Sequence, residues 1–348
     1  MFAYLYLYIF SFIVSLFRNK RNTYIVCGIL VLVLALFAGT RSPDIDNDYF
    51  LYQFYFTQSG LGVFTGLQTE VCTYVIPRII SFFTEDYTRL SFLVFAFISL
   101  SLKIFSIKDY QYFILAVLLY VGNLFFIQEM TTIRASVSSG VLLWSIKDLY
   151  EKNDKKFFLK LGFALLFHYS SVMFVLIWLI NKFDVKYKWL FIALAFSMTV
   201  PILNINFITI LHLDAFSDKA TDYMTIKKYE DSKLNLFNFK IIIAFLYLGI
   251  LFWQRKKIKI AGFDILLKTH ILSLFFFYLF STTGLTFSLR SFELLSVVQI
   301  VLYPSLIFCF NKKFKLVGHV IVFATAIVFF YYSIFVSDIL KDYSSWLF

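Results

Sequence analysis

Three arginines and one histidine interrupt or border long apolar stretches of this chain: Arg41, Arg134, Arg290 and His168. A cation in or beside hydrocarbon costs several kcal/mol, so such a residue usually marks a functional site. A guanidinium is a planar, permanently charged donor that matches phosphate oxygens. An imidazole titrates near neutral pH and can move a proton. Together these residue types predict a pocket for an anionic, phosphate-bearing ligand.

The composition places the chain among polytopic membrane proteins. Of its 348 residues 60% are hydrophobic and only 15% are charged, and the mean hydropathy is +0.79. No long polar stretch could form a soluble domain, so we expect one integral membrane domain over residues 1–348. The net charge of +11 lies mainly in short connections between apolar runs, which is typical of membrane orientation and not of nucleic-acid binding.

Apolar runs of about 16–22 residues are long enough for helical spans. The fold prediction is therefore an all-α polytopic protein with about ten transmembrane helices. The runs cover residues 2–17, 23–39, 89–107, 111–127, 131–147, 189–206, 239–254, 264–281, 290–310 and 316–337.

Groups of Lys and Arg separate these runs, and the positive-inside rule would place all of them in the cytoplasm. They fall at 18–21, 103–108, 147–160, 182–188, 255–259 and 312–315. This threading requires segment 157–181 to enter the membrane and return as a re-entrant helical hairpin. The polar run His168-Tyr169-Ser170-Ser171 at its centre favours that interpretation, because broken backbone at membrane depth needs polar partners. One long tilted span is the alternative.

With this orientation the three arginines and His168 face the outer side, together with two long loops, 40–88 and 207–238. The first loop begins with an acidic, aromatic stretch and continues into 70–84, where we expect an interfacial helix kinked near Pro77. The second loop has mixed charge. Loops of this length usually bind substrate or close over it.

Each candidate also has a purely structural interpretation. Arg41 could anchor at the interface, Arg290 could pair with Glu293 one helical turn away, and His168 could cap a broken helix. Other carboxylates expected on the outer side are Glu70, Glu129 and the cluster of Asp44, Asp46 and Asp48.

We expect no metal and no cofactor. The acidic cluster lacks the glycine and the terminal glutamate of a calcium loop, and the sequence has no Walker, GxGxxG, GxSxG or zinc motif. An outward-facing site without nucleotide needs a substrate that is already activated. A sugar linked to a polyprenyl diphosphate meets that need, because arginines can stabilise its diphosphate leaving group.

Four places in the chain resemble the EpsG/Wzy group of polysaccharide polymerases, in an order that covers roughly residues 39–305. They are Arg41 to Tyr49 followed by Tyr52 and Glu70, Ile133-Arg134-Ala135-Ser136, Phe167-His168-Tyr169-Ser170-Ser171, and Leu289-Arg290 leading to Glu293-Leu294-Leu295 and Pro304. Two places depart from the group. Asp46-Asn47-Asp48-Tyr49 stands where Gly-Asp-Tyr is common, and Arg134-Ala135 stands where Arg-Gln is common.

The resemblance implies a GT-C-like glycosyltransferase of the bacterial inner membrane. Such proteins join undecaprenyl-diphosphate-linked repeat units at the periplasmic face. It assigns diphosphate binding to Arg41, Arg134 and Arg290, and base catalysis to His168 or Glu70. It further implies glycan binding by residues of the first outer loop, namely Asp46, Asp48, Tyr49 and Tyr52. The expected partners are the lipid-linked oligosaccharide and membrane lipids, with a chain-length regulator and a flippase as candidate protein partners.

Two other functions fit the same residues. A flippase or transporter for a lipid-linked glycan also needs arginines, but along a path that reaches both faces. An O-antigen ligase uses the same donor and transfers it to lipid A core. Because the intramembrane charges cluster on one side, we favour a one-sided enzyme. A membrane acyltransferase is a weaker alternative.

Overall fold

The structure is a computed structural model that describes residues 1–64, 70–206, 234–337 and 339–347. Within these residues the regular structure is helical, and the β structure is limited to one isolated antiparallel bridge between Arg41 and Ser345. The all-α class predicted from the sequence is therefore confirmed.

We number the α-helices of the described residues in chain order. They are α1 (Phe2–Leu16), α2 (Thr23–Gly39), α3 (Tyr49–Gly60), α4 (Val71–Ser81), α5 (Tyr87–Ile107), α6 (Phe113–Leu119), α7 (Phe126–Met130), α8 (Ile133–Tyr150), α9 (Asp154–Phe167), α10 (Phe174–Lys182), α11 (Tyr187–Leu203), α12 (Phe239–Gln254), α13 (Phe263–Leu279), α14 (Leu285–Ser296), α15 (Gln299–Leu302) and α16 (Lys315–Tyr331). A π-helical segment, Tyr120–Phe125, makes α6 and α7 continuous.

Several helices have the length and composition of membrane spans. In the described part of the chain three qualify: Tyr87–Ile107, Phe113–Met130 and Lys312–Val336. The pair Thr286–Ser296 and Gln299–Phe308, bent by 46°, makes a fourth if it is one span. Shorter apolar helices include Phe2–Leu16 and Thr23–Gly39. These apolar helices are thus compatible with a polytopic membrane protein. The number of ten spans stays a prediction.

Helix α8 connects two chemically different ends of the bundle. Arg134 lies in its first turn and Lys147 in its last, about 20 Å apart at 1.5 Å per residue. We call the end near Lys147 the basic end, because the Lys- and Arg-rich connections meet there. Arg18, for example, donates hydrogen bonds to the carbonyl oxygens of Lys108 and Tyr110. The opposite end, which contains Arg134, is called the site end.

The chain reverses direction at His168, as the hairpin prediction requires. Helices α9 and α10 return to one place, where Lys182 Nζ lies 2.5 Å from Asp154 Oδ2 and Trp178 Nε1 donates to Asp154 Oδ1 at 2.9 Å. His168 itself has extended backbone, with φ −158° and ψ 117°. Both ends of the hairpin therefore share the basic end, and its tip points away from it. Entry of this hairpin into a membrane stays a prediction.

The first outer loop is largely helical. Its second helix, α4, contains Pro77 as predicted, and α3 packs against it. The end of α3 lies very close to the start of α5. A Cβ on Gly60, the last residue of α3, would lie 2.1 Å from the Tyr87 ring. Of the second outer loop, residues 207–233 lie outside the described residues.

The C-terminal segment folds back along the start of the first outer loop, which the sequence did not predict. Ser42 N donates to Ser344 O, and Trp346 N donates to Thr40 O, each at 3.0 Å. The Tyr343 ring stacks on Phe37 with centroids 3.8 Å apart. These contacts hold the backbone on both sides of Arg41 in one conformation.

Candidate functional site

One carboxylate joins two of the predicted site residues. Arg134 Nη1 forms an ion pair with Glu70 Oε2, and His168 Nδ1 lies 3.2 Å from Glu70 Oε1. In the chain, Glu70 lies 64 positions before Arg134 and 98 positions before His168. The structure thus brings together an arginine, a carboxylate and a histidine that the sequence indicated separately. We call this group the Glu70 cluster.

Each member of the Glu70 cluster lies where a helix begins or breaks. Glu70 precedes α4 in extended backbone, and its carbonyl accepts from Thr73 N at 2.9 Å. Arg134 is the second residue of α8. His168 follows the last residue of α9, and its backbone N–H closes that helix on Ala164 O at 2.9 Å. A side chain at a helix end can point away from the helix–helix contacts of a bundle. The three side chains of the Glu70 cluster converge in this way.

Exposure of the side chains rises across the Glu70 cluster. Glu70 is 1% exposed, Arg134 is 10% exposed and His168 is 22% exposed. A buried carboxylate is therefore covered by a cation on one oxygen and by a more accessible ring on the other. This order gives the site a closed back and an open front at His168.

Two tyrosines complete the surroundings of Arg134. The guanidinium carbon lies 5.3 Å from the Tyr52 ring centroid and 5.8 Å from that of Tyr55, within cation–π range. Arg134 Nε has no hydrogen-bond partner among the described residues. A donor that is buried and unpaired is costly, so this nitrogen is a natural contact for an anion. Tyr52 was predicted to bind glycan, a role that stays a prediction.

Arg290 forms a second ion pair at the site end. Its Nη2 lies 2.9 Å from Asp48 Oδ2, and the two side chains are 32% and 25% exposed. The alternative interpretation from the sequence paired Arg290 with Glu293, and the charge of Arg290 does act on Glu293. The structure also joins Arg290 across 242 positions to the first outer loop. This pair is accessible to a ligand, in contrast to the back of the Glu70 cluster.

Arg41 is placed differently from the other two arginines. It is fully buried, with Nε 2.7 Å from Asp46 Oδ2 and Nη1 donating to Ala38 O at 2.8 Å. Its guanidinium also lies 4.9 Å from the Phe92 ring centroid. Burial raises the pKa of Asp46 above its usual range, and the charge of Arg41 opposes that rise. In this structure Arg41 therefore organises the loop from within.

The predicted ligand contacts around Arg41 are buried as well. Tyr49 stacks on Phe92 at 4.3 Å and is 2% exposed. Asp46 uses its other oxygen to accept from Asp48 N at 3.1 Å. Diphosphate binding by Arg41 and glycan binding by Asp46, Asp48 and Tyr49 stay predictions.

A second buried ion pair was missed. Lys103 Nζ lies 2.7 Å from Glu129 Oε1, and the two side chains are 0% and 1% exposed. The sequence interpretation grouped Lys103 with the cytoplasmic basic residues and Glu129 with the carboxylates of the outer side, and it did not predict that both side chains are buried against each other. Lys103 lies inside α5, one turn before its end. The available signal was its position within the apolar run Leu102-Lys103-Ile104, where a lone cation requires a buried partner.

A known protein family matches most of this sequence. The EpsG family profile matches residues 24–347. The chain belongs to the EpsG family. The match includes every member of the Glu70 cluster, as well as Arg41 and Arg290, and family membership points to a polysaccharide polymerase of the membrane. No curated protein and no solved structure matches the chain.

Proposed function

We propose that this EpsG-family protein is a glycosyltransferase that joins undecaprenyl-diphosphate-linked oligosaccharide repeat units into O-antigen or exopolysaccharide. An acceptor sugar hydroxyl attacks the anomeric carbon of the donor, and undecaprenyl diphosphate leaves. The observation that carries the proposal is the Glu70 cluster, which combines a proton acceptor with a cation at the site end. The donor arrives activated on its own diphosphate, so the reaction needs no nucleotide.

His168 is the group best positioned to take the proton. Both oxygens of Glu70 are engaged, one by Arg134 and the other by the His168 ring. Glu70 therefore acts as a positioning residue that holds His168 Nδ1, and the more exposed imidazole accepts the proton of the acceptor hydroxyl. The new bond joins that oxygen to the anomeric carbon.

Arg134 and Arg290 stabilise the negative charge that develops on the diphosphate leaving group. As the bond from the anomeric carbon to the diphosphate oxygen breaks, its electron pair stays on the diphosphate. A guanidinium stabilises that developing charge through paired donors. Arg134 retains an unpaired Nε among the described residues, and Arg290 is the most exposed of the three candidate arginines, Arg41, Arg134 and Arg290. Arg41 supports the loop that contains Asp48.

The architecture that we propose around this site has about ten spans, a re-entrant hairpin at 157–181 and a GT-C-like arrangement. The protein would lie in the bacterial inner membrane with the site end in the periplasm. The separation of the Glu70 cluster from the basic end along α8 supports this orientation under the positive-inside rule. The oligosaccharide carrier, membrane lipids, a chain-length regulator and a flippase are its proposed partners.

The test is a gel of surface polysaccharide from a deletion strain that carries the wild type, Arg134→Ala or His168→Ala. We expect both variants to reproduce the deletion pattern, a single repeat unit without longer chains, while each protein is present in the membrane. Wild-type chain length in either variant would contradict its assigned role.

The controls replace an arginine and a histidine by alanine at positions far from the site. Arg21→Ala changes an exposed arginine of the basic end, and His319→Ala removes a ring whose Nδ1 contacts only Lys315 O, at 2.9 Å, among the described residues. Both should support normal chain length. Long lipid-linked chains in the deletion strain would instead identify a ligase, and repeat units trapped on the cytoplasmic leaflet would identify a flippase.

A further inference from the structure

A cavity of about 650 Å³ lies at the basic end, far from the Glu70 cluster. It is formed where α5 ends, α6 begins, α8 ends and α13 begins. Its volume is within the range of sites that hold small organic ligands. Nothing in the proposed glycosyl transfer uses it.

The cavity walls are held in place by specific contacts. Arg18 binds the carbonyls of Lys108 and Tyr110 and lies 4.9 Å from the Phe113 ring centroid, which fixes the wall between α5 and α6. On the opposite side, a Cβ on Gly262 would lie 3.0 Å from Ile146 Cγ2, and Gly262 has φ +73°. The connection before α13 therefore sits directly against the end of α8.

Lysines contribute a positive charge that is only partly neutralised. Lys108 and Lys160 are paired, with Asp109 at 2.9 Å and with Asp148. Lys147 has only an exposed, long contact of 3.7 Å to Glu151. Lys259 is exposed and has no ion pair among the described residues. The cavity wall thus has one cation that is weakly paired and one without an ion pair among the described residues, and both can bind an anion.

A buried hydroxyl in the same wall also lacks a partner. Tyr112 lines the cavity and is 4% exposed, and its hydroxyl has no hydrogen-bond partner in the described part of the chain. Its ring is held by stacking on Tyr110 at 5.3 Å and by an edge contact with Phe308 at 6.1 Å. A buried polar group without a partner is unusual and often marks the position of a missing ligand or water.

The remaining lining is apolar or aromatic, including Phe105, Leu143 and Ile260. Trp144 and Tyr150 line the cavity and are also 46% and 56% exposed, as aromatic side chains at a membrane interface are. Lys160 Nζ lies 3.8 Å from the Trp144 ring centroid, which joins the charged and apolar parts. A ligand that matches both parts is amphipathic and anionic.

We propose that this cavity binds the phosphate headgroup of an anionic membrane phospholipid. The phosphate lies between Lys147 and Lys259 and accepts a hydrogen bond from the Tyr112 hydroxyl, while the glycerol and the start of the acyl chains contact the aromatic wall. Basic pockets between spans are well suited to such headgroups. This inference is independent of the glycosyl-transfer proposal, since it concerns the opposite end of α8.

The test measures lipid retention by native mass spectrometry of the full chain released from nanodiscs. The nanodiscs contain equal amounts of phosphatidylglycerol and phosphatidylcholine. For wild type we expect retained phosphatidylglycerol in excess. For Lys147→Gln/Lys259→Gln the excess should fall about tenfold. Tyr112→Phe keeps the ring and removes only the hydroxyl, so the excess should fall about threefold.

The matched control is Lys312→Gln/Lys313→Gln, which removes the same charge from exposed positions at the same end, outside the cavity. It should retain phosphatidylglycerol as wild type does. Equal losses in both double variants would overturn the proposal, because general surface charge would then explain the retention. Soluble glycerol 3-phosphate is added as a competitor. If it binds with the same dependence on Lys147 and Lys259 and phosphatidylglycerol is not retained, the ligand is a free phosphate ester and the lipid proposal fails.

Discussion

Two buried ion pairs, Lys103–Glu129 and Arg134–Glu70, contact the first turns of α8. They differ in the hydrogen-bonding groups that remain available to a substrate. Ser136 accepts a hydrogen bond from Lys103 at 2.7 Å on one side of the helix. Arg134, two residues earlier, pairs with Glu70. Residues at i and i+2 point to nearly opposite faces of a helix. One helix end thus separates a sealed polar network from the candidate active site.

The sealed network has no donor to spare on its lysine. The Lys103 ammonium has three donors and three short contacts, to Gln128 Oε1 at 2.8 Å and to Glu129 Oε1 and Ser136 Oγ at 2.7 Å each. Arg134 instead keeps Nε unpaired among the described residues, beside a histidine that is partly exposed. Both pairs carry a desolvation cost, but only the second can exchange a contact for a substrate. Glu129 Oε2 in the sealed network also has no hydrogen-bond partner among the described residues, but its surroundings are fully buried. The functional pair is distinguished by an unpaired donor that lies beside a partly exposed residue.

The largest expected effect is on stability, at the sealed pair. Lys103→Met leaves the Glu129 carboxylate buried without its cation, which typically destabilises a protein by about 3–5 kcal/mol. Thermal unfolding of the purified protein should show a large fall in Tm. Lys103→Met/Glu129→Gln should recover part of it. Lys108→Met removes a lysine from an exposed pair and should cost less than about 1 kcal/mol. An unchanged Tm in Lys103→Met would show that the buried Lys103–Glu129 pair does not stabilise the fold more than an exposed pair does.

Arg134→Lys separates charge from geometry at the Glu70 cluster. Lysine keeps a cation for Glu70 but loses the planar fork, so Tm should change little while polymerisation falls about 100-fold or more. The measurement is incorporation of repeat units by membranes that contain equal amounts of each protein. Full activity in Arg134→Lys would mean that charge alone suffices.

Glu70→Gln tests the positioning role of the carboxylate. The amide can still contact His168, but it no longer holds both neighbours by charge, and we expect polymerisation to fall about 10- to 100-fold. Residues that act as one unit are not additive. The variant Glu70→Gln/His168→Ala should therefore be hardly less active than His168→Ala alone. Independent, multiplying losses would show that the two residues do not work together.

The smallest effect is expected at the exposed pair of the site end. Arg290→Gln should cost less than about 1 kcal/mol of stability, because both partners contact water. Polymerisation should fall about tenfold through weaker donor binding, seen as a higher substrate concentration at half-maximal rate. Asp48→Asn is the matched change on the partner. If Asp48→Asn weakens donor binding as strongly as Arg290→Gln does, the ion pair between the two residues is itself required for donor binding.

Several features were predictable because they depend on local sequence. The helical class follows from apolar runs that need internal backbone hydrogen bonds in hydrocarbon. The reversal at His168 follows from polar residues at the centre of one such run, and the ion pair between Lys182 and Asp154 agrees with it. The helix around Pro77 was also predicted. Each of these features depends on a few neighbouring residues.

Other features were not predictable because they depend on contacts between distant segments. Nothing near Lys103 in the sequence identifies Glu129 as its partner, and its position near the end of an apolar run allowed a loop assignment. The backbone at Arg41 pairs with the C-terminal segment, about 300 positions further along the chain. No local pattern connects those two parts of the chain.

The sequence by itself therefore determined the type of protein and the chemical groups at its disposal: a helical membrane chain of the EpsG family, with basic connections at one end and arginines and a histidine toward the other. The tertiary structure decided how those groups are used. It joined Glu70 to Arg134 and His168, buried Arg41 and left Arg290 accessible. The physical reason is that an ionisable group buried among helices must find a partner, and only the packing of distant helices decides which partner is within reach.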